Sequence, residues 1–234
     1  MILYTVKNGV YYNLEDFKKD LSDLGENGFP NKIYINLTNR CSCSCTYCLR
    51  SLKEFNEHNS LWLKDEPTVE EVENEFLKYD WSGVTEIIFC GFGEPTMRFD
   101  DLTAIAAWLK EQHPQIPIRV NTNGLSDLVF EEATASKFKG IVDTVSISLN
   151  SSDAQKYLDV TRNRFGLKSY DAMLSFAKDC QKYVPNVVMT VVDIIGEEEV
   201  AACQKVCDEN GLFLRVRPYE ALSLIHISEP TRRS

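Results

Sequence analysis

The stretch Val145-Ser146-Ile147-Ser148-Leu149-Asn150 alternates aliphatic and polar side chains without a break. Successive residues of a strand point to opposite faces, so Val145, Ile147 and Leu149 share one face and Ser146, Ser148 and Asn150 the other. The same division recurs in other strand-like stretches. Ile33, Ile35 and Leu37 stand against Tyr34, Asn36 and Thr38; Ile118 and Val120 against Arg119, Asn121 and Asn123; Leu214 and Val216 against Arg215 and Arg217. Strands are predicted at about 32–38, 84–91, 117–123, 142–150, 187–194 and 212–218. Helical periodicity fills the gaps. Thr68-Val-Glu-Glu71 reads as a capping box opening a helix with Val69, Val72, Phe76 and Tyr79 on one face. Leu102, Ile105, Ala106 and Leu109 mark the next apolar face, and Met173, Phe176, Ala177 and Cys180 a later one. A last helix from near Glu197 carries Val200, Cys203, Val206 and Cys207 and stops at Gly211.

Alternating strands and helices of this kind imply a parallel sheet with right-handed crossovers. Strands of a doubly wound sheet are buried on both faces and read as continuous apolar runs. Here one face meets helices while the other is polar, which fits a barrel whose interior takes a polar ligand. A complete eight-unit barrel takes about 250 residues; six units make an α/β, partial (βα)6 TIM-like barrel open at its side. Residues 31–221 are assigned to it. Residues 1–30 read as an N-terminal extension: a hairpin from Ile2 to Tyr12 turning at Asn8-Gly9, then a helix with Phe17, Leu21 and Leu24. Residues 222–234 resemble the translation of a sequencing-library adapter and are expected to be an artefact, which leaves the native continuation past Ala221 open.

The net charge of −10 argues against a surface made for nucleic-acid phosphate. No run of about eighteen apolar residues and no signal peptide is present, so no membrane association and a cytoplasmic location are expected. In a reducing compartment, clustered cysteines are more often metal ligands than disulfides. Four of the eight cysteines fall in Cys41-Ser-Cys43-Ser-Cys45-Thr-Tyr47-Cys48, just past Thr38 at the C-terminal rim where barrels keep their chemistry. Two ligand sets are open. Cys41, Cys45 and Cys48 would leave a metal centre with a free coordination position; Cys43 added to them would close it as a tetrathiolate, for zinc or an electron-transfer cluster. The remaining cysteines, Cys90, Cys180, Cys203 and Cys207, read as packing residues, and His58 and His113 as surface histidines.

The spacing Cys41-x3-Cys45-x2-Cys48, with aromatic Tyr47 before the last cysteine, resembles the CxxxCxxC signature of the radical S-adenosylmethionine (radical SAM) enzymes, whose core fold is a partial barrel. The resemblance implies that these three cysteines hold a 4Fe-4S cluster and that the fourth iron is left for the amino and carboxylate groups of S-adenosylmethionine. Gly91-Phe92-Gly93-Glu94-Pro95 resembles the family's GGE motif, which binds the cofactor's amino group, with Phe92 as a departure. Asn121-Thr122-Asn123-Gly124 and Ser148-Leu149-Asn150 resemble segments that contact its ribose or carboxylate, and they imply roles for Thr122, Ser148 and Asn150, the last standing where aspartate is frequent. Together with Asn39–Arg50 and Arg215-Val-Arg-Pro-Tyr219, these motifs resemble the TatD-associated radical SAM proteins over about 31–219.

That subgroup is named for a genomic link to TatD-type hydrolases. The implied activity is reductive cleavage of S-adenosylmethionine to a 5′-deoxyadenosyl radical, fed by an external flavodoxin- or ferredoxin-like electron donor, with hydrogen abstraction from an unidentified substrate. Asn36, Asn121, Arg215 and Arg217 are the substrate candidates, the arginines suiting an anionic group through bidentate bonds. Alternatives within the family are a 7-carboxy-7-deazaguanine synthase-like enzyme and a glycyl-radical activase-like enzyme. The alternative outside it is the non-catalytic tetrathiolate protein.

Overall fold

The computed structural model describes residues 1–7, 9–14, 30–52 and 60–218. The helix expected around Phe17, Leu21 and Leu24, together with Asn8, His58 and the 222–234 segment, lies outside the described residues. The six expected strands form: β3 (Lys32–Ile35), β4 (Glu86–Phe89), β5 (Ile118–Thr122), β6 (Thr144–Ser148), β7 (Asn186–Val192) and β8 (Phe213–Arg217). Each pairs in parallel with the next. The N-terminal hairpin, β1 (Leu3–Lys7) and β2 (Val10–Asn13), adds antiparallel to β3, so the sheet runs β2-β1-β3-β4-β5-β6-β7-β8 and stays open between β2 and β8. This is the partial TIM-like barrel architecture that the strand faces predict.

The helices are α1 (Leu49–Leu52), α2 (Val69–Phe76), α3 (Phe99–Gln112), α4 (Ser126–Phe130), α5 (Ala154–Thr161), α6 (Lys168–Cys180) and α7 (Glu197–Asn210). The capping box at α2 is reciprocal, with Thr68 Oγ1 accepting from Glu71 N at 3.1 Å and the Glu71 carboxylate accepting from Thr68 N at 2.7 Å. Gly211 ends α7 in the left-handed region, φ 66°, where a side chain would be strained. The sheet's helix-facing side chains, including Ile33, Ile35, Phe89, Val120, Val145 and Ile147, are fully buried against the apolar faces of α2, α3, α6 and α7. Each such side chain contributes roughly 1.5–3 kcal/mol by leaving water. Cys180, Cys203 and Cys207 sit in that core. No described helix is long and apolar enough to cross a membrane.

The inner face of the sheet is less uniformly polar than the alternation predicts. Toward the hairpin it is aromatic: Tyr4 stacks on Tyr34 with ring centroids 5.0 Å apart, and Tyr4, Tyr11, Leu61 and Phe92 form their own buried cluster. The hairpin supplies Tyr4 and Tyr11, which no alternation within the six core strands could register. Polar side chains share the rest of the inner face: Lys32 and Glu86, which pair across β3 and β4, and then Arg119, Asn121, Ser146 and Arg215 from β5 to β8.

Past β3 the chain is locked to its neighbours. Asn36 N bonds Ile2 O, Gly93 N bonds Thr38 O at 3.0 Å and Glu94 N bonds Arg40 O at 2.8 Å. Gly93 lies so close to this turn that a Cβ placed there would come 2.2 Å from Thr38 O and 2.7 Å from Arg40 O, both backbone atoms that cannot rotate away. Gly93→Ala is therefore expected to lose about 2 kcal/mol or more in urea denaturation. Gly83→Ala, where a Cβ meets nothing within 4 Å, should stay within about 0.5 kcal/mol of the parent; equal losses for the two would refute the packing account.

Candidate functional site

The cysteine loop follows β3 at the end of the sheet where β4, β5 and β6 also finish. Its backbone is pinned against α5: Ser44 N donates to Thr161 O and Thr46 N to Val160 O, each at 2.9 Å, and Arg164 N donates to Ser42 O at 3.2 Å. The last carbonyls of a helix have no partner within it, so the C-terminus of α5 is a ready acceptor for a loop without regular structure. From the other side Asn123 Nδ2 reaches Ser42 Oγ at 3.1 Å, Cys43 Sγ at 3.5 Å and Cys41 Sγ at 3.9 Å.

The sulfurs have partners of their own. Cys43 is buried and lies between Cys41 and Cys45 in sulfur hydrogen bonds, while Cys48 Sγ accepts from Arg50 Nε at 3.2 Å. The Cys43 side-chain bonds hold the Cys41 and Cys45 thiols below their ordinary range, against burial; those same bonds and burial drive Cys43 upward. Among the described residues no three His, Cys, Asp or Glu side chains stand together at metal-ligand spacing. The donor chemistry nevertheless fits a thiolate-held iron-sulfur group, with the Cys41 and Cys45 thiols shifted toward thiolate and a guanidinium beside Cys48.

Glu94 is the best-connected polar group of the site. Its buried carboxylate accepts from Thr96 N (3.1 Å), Thr96 Oγ1 (2.8 Å), Thr122 Oγ1 (2.7 Å) and Asn123 N (2.6 Å). Burial raises its pKa above the ordinary carboxylate value, and the four donors oppose the rise. The carboxylate and the Thr122 hydroxyl are thus turned to each other, with Thr122 Oγ1 also accepting from Gly124 N at 3.0 Å. Gly91 is covered by Asn36, whose Oδ1 would lie 2.0 Å from an added Cβ, and Phe92 packs edge-on to Trp62. Asn36 Nδ2 donates to Leu61 O at 2.6 Å, tying the end of β3 to the 60–67 segment.

Ser148 is half-buried at the end of β6, and Asn150 is buried just beyond it with φ 63°. Asparagine tolerates that left-handed backbone better than most residues. Tyr47 has a buried hydroxyl without a protein partner, and burial pushes its pKa up. Asn121 and Arg215 face the sheet's interior, whereas Arg217 is exposed at the end of β8.

The structure adds residues that the sequence reading did not single out. Asn123 and Arg50 touch cysteine sulfurs; both stand inside recognisable motifs, which was the available signal. Glu66 takes a fork from Arg40, Nε at 2.9 Å and Nη2 at 2.8 Å, and a bond from Thr38 Oγ1, bracing the turn before Cys41. Tyr157 lies fully buried beneath the loop with an unpartnered hydroxyl, and it had no signal beyond helical spacing.

Residues 35–204 match the family description "Radical SAM superfamily". GTP 3',8-cyclase of Corynebacterium glutamicum (strain R) is 28% identical over 187 residues, covering 77% of this chain and 47% of that protein. GTP 3',8-cyclase 2 of Mycobacterium bovis is 31% identical over 192 residues, 80% of this chain and 49% of the relative. The chain thus spans about half the length of these relatives. Among solved structures, Streptococcus suis SuiB bound to S-adenosylmethionine superposes with a TM-score of 0.62 at 18% identity, over 89% of this chain and 43% of SuiB. The structure of anSMEcpe with bound AdoMet and a peptide gives 0.57 at 18% identity, over 80% of this chain and 50% of that one.

Removing the Glu94 carboxylate leaves four buried donors unpaired, so Glu94→Ala is expected to cost about 3 kcal/mol in urea denaturation, and Glu94→Gln less because one oxygen still accepts. With its pKa raised on folding, the wild-type carboxyl contributes its full stability below the ordinary carboxylate range and loses it as pH rises through the folded value. The stability gap between wild type and Glu94→Gln should accordingly narrow with rising pH. A gap that widens would show the four hydrogen bonds outweighing burial.

Proposed function

Because the chain belongs to the radical SAM superfamily, we propose that it is an enzyme that reductively cleaves S-adenosylmethionine and abstracts hydrogen from a substrate in the sheet's interior. The carrying observation is the cysteine loop itself, pinned by backbone hydrogen bonds to α5 at the end of the sheet where β4 to β6 converge. Cys41, Cys45 and Cys48 would hold the 4Fe-4S cluster. When bound, that group supplies the electron that splits S-adenosylmethionine into methionine and a 5′-deoxyadenosyl radical, which does the hydrogen abstraction.

The chain's own residues bind, orient and shield. Tyr47, the Gly91-Phe92-Gly93 backbone, Ser148 and Asn150 are assigned as cofactor contacts on the motifs quoted above. Glu94 and Thr122 act chiefly by holding the turn through Asn123 and Gly124, since each spends its hydrogen bonds there. Asn36 contributes as a brace between the end of β3 and Leu61, while Asn121, Arg215 and Arg217 remain for the substrate. We further assign the chain to the TatD-associated subgroup on the motifs quoted above, with a cytoplasmic setting, a flavodoxin- or ferredoxin-like electron donor and a functional link to a TatD-type hydrolase as its corollaries.

Anaerobic reconstitution tests the reading. The wild-type protein should take up about four irons per chain and release 5′-deoxyadenosine with a strong reductant; Cys41→Ala, Cys45→Ala and Cys48→Ala should each lose both. Cys43→Ala should keep iron and cleavage. Loss of metal from Cys43→Ala would favour the closed tetrathiolate, and an iron-loaded wild-type protein that makes no 5′-deoxyadenosine would overturn the proposal.

A further inference from the structure

The inner face from β5 to β8 carries more positive charge than its own carboxylates offset. Arg119 Nη2 bonds Glu86 Oε2 at 2.8 Å, and the same oxygen is 3.6 Å from Lys32 Nζ. Glu86 thus answers two cations and has little left for others. Arg215 reaches across β7 to donate from Nη2 to Ser146 Oγ at 3.2 Å, and Ser146 is paired in register with Asn121. Arg215 is close enough to Arg119 and Arg217 for both charges, after burial, to disfavour its protonated form.

Three buried polar atoms here have no protein partner: Arg119 Nε, Arg215 Nε and Asn121 Oδ1. Buried donors and acceptors are nearly always paired, and a guanidinium left partly unpaired in a dry setting is costly. An anion with two or three oxygens relieves the repulsion and accepts from the two unpaired guanidinium Nε groups, because the guanidinium fork matches carboxylate and phosphate geometry, while Asn121 Oδ1, itself an acceptor, calls for a donor elsewhere on the bound molecule.

We propose that Arg119, Arg215 and Ser146 form an anion-binding pocket in the interior of the sheet, and that the substrate carries a carboxylate or phosphate group held there. That the occupant is the substrate rests on the functional reading above; the pocket itself does not. Arg215 stands level with Ser148 through Thr190, and its guanidinium reaches down to Ser146. Ser146 lies two residues below Ser148 along β6, about 6.6 Å at the rise of a strand. The substrate therefore enters with its anionic end leading and leaves its other end toward the cysteine loop. Arg217, exposed at the end of β8, lies outside this pocket.

The test is calorimetric titration of the anaerobically reconstituted protein, with saturating S-adenosylmethionine, by pyrophosphate and separately by malonate at constant ionic strength. Saturable binding by pyrophosphate points to a phosphate-bearing substrate, and by malonate to a carboxylate-bearing one; either supports the pocket. Arg215→Gln and Arg119→Gln should each weaken binding about tenfold or more. Ser146→Ala, the smallest change to the fold, should weaken it several-fold, and the exposed control Lys139→Gln should not. Failure of both anions to bind, binding undiminished in Ser146→Ala and the arginine variants, or binding seen only without S-adenosylmethionine would each overturn the proposal. Cofactor cleavage by the same wild-type preparation separates the two readings: binding without cleavage sinks the proposed activity and leaves the pocket, and cleavage without binding does the reverse.

Discussion

A buried carboxylate at Glu94 holds the site's framework. A carboxylate removed from water is stable only if protein donors replace the lost solvent. Thr96 past β4, Thr122 at the end of β5 and Asn123 just beyond it supply them. That requirement fixes the turn after β5, and the turn aims the Asn123 amide at Ser42 and the sulfurs of Cys41 and Cys43. The Glu94 amide meanwhile binds Arg40 O, so one residue joins the ends of three strands. Charge, turn geometry and cysteine placement are links of a single chain of cause.

The glycines beside Glu94 gain a second meaning from this arrangement. A Gly-rich turn suggests close approach of a ligand, yet the atoms nearest Gly93 are the carbonyls of Thr38 and Arg40, and those nearest Gly91 belong to Asn36. Whatever binds the outer side of this turn, its inner side needs glycine in order to dock on the end of β3. The cysteine loop shows the complementary principle. Its amides at Ser44 and Thr46 are anchored to the end of α5, while its side chains are held by Asn123 and Arg50 instead, so backbone and sulfurs are positioned by different elements.

Much of the fold was legible because it depends on periodicity. Ile33, Ile35, Val145 and Ile147 are buried for the same reason that they alternate, and the capping residues Thr68 and Glu71 sit three apart because the helix end demands it. The cysteine loop's place at the C-terminal rim followed from the strand order. What did not follow was anything set by contact between distant segments: Tyr4 and Tyr11 filling one side of the inner face, the C-terminus of α5 accepting the loop amides, and Tyr157 beneath it. Glu94 and Thr122 were legible as members of motifs, but their mutual hydrogen bond, 28 positions apart in the chain, was not.

The inner face ends up divided, and the division follows from which elements reach it. On the β1–β3–β4 side the hairpin brings tyrosines, and Tyr4 Oη donates to Cys90 O at 3.2 Å, so this wall is largely aromatic and the Tyr4 hydroxyl is already used. On the β5–β8 side, among the described residues, Arg119 and Arg215 project inward with their stems packed, each paired through Nη2 and left without a protein partner at Nε. An interior with an aromatic wall and a cationic wall discriminates between molecules that a uniformly polar one would treat alike. Planar or apolar surface is favoured on one side and anionic charge on the other, with the cysteine loop above both. The aromatic side of this division is a consequence of adding two strands to one edge of a six-stranded sheet.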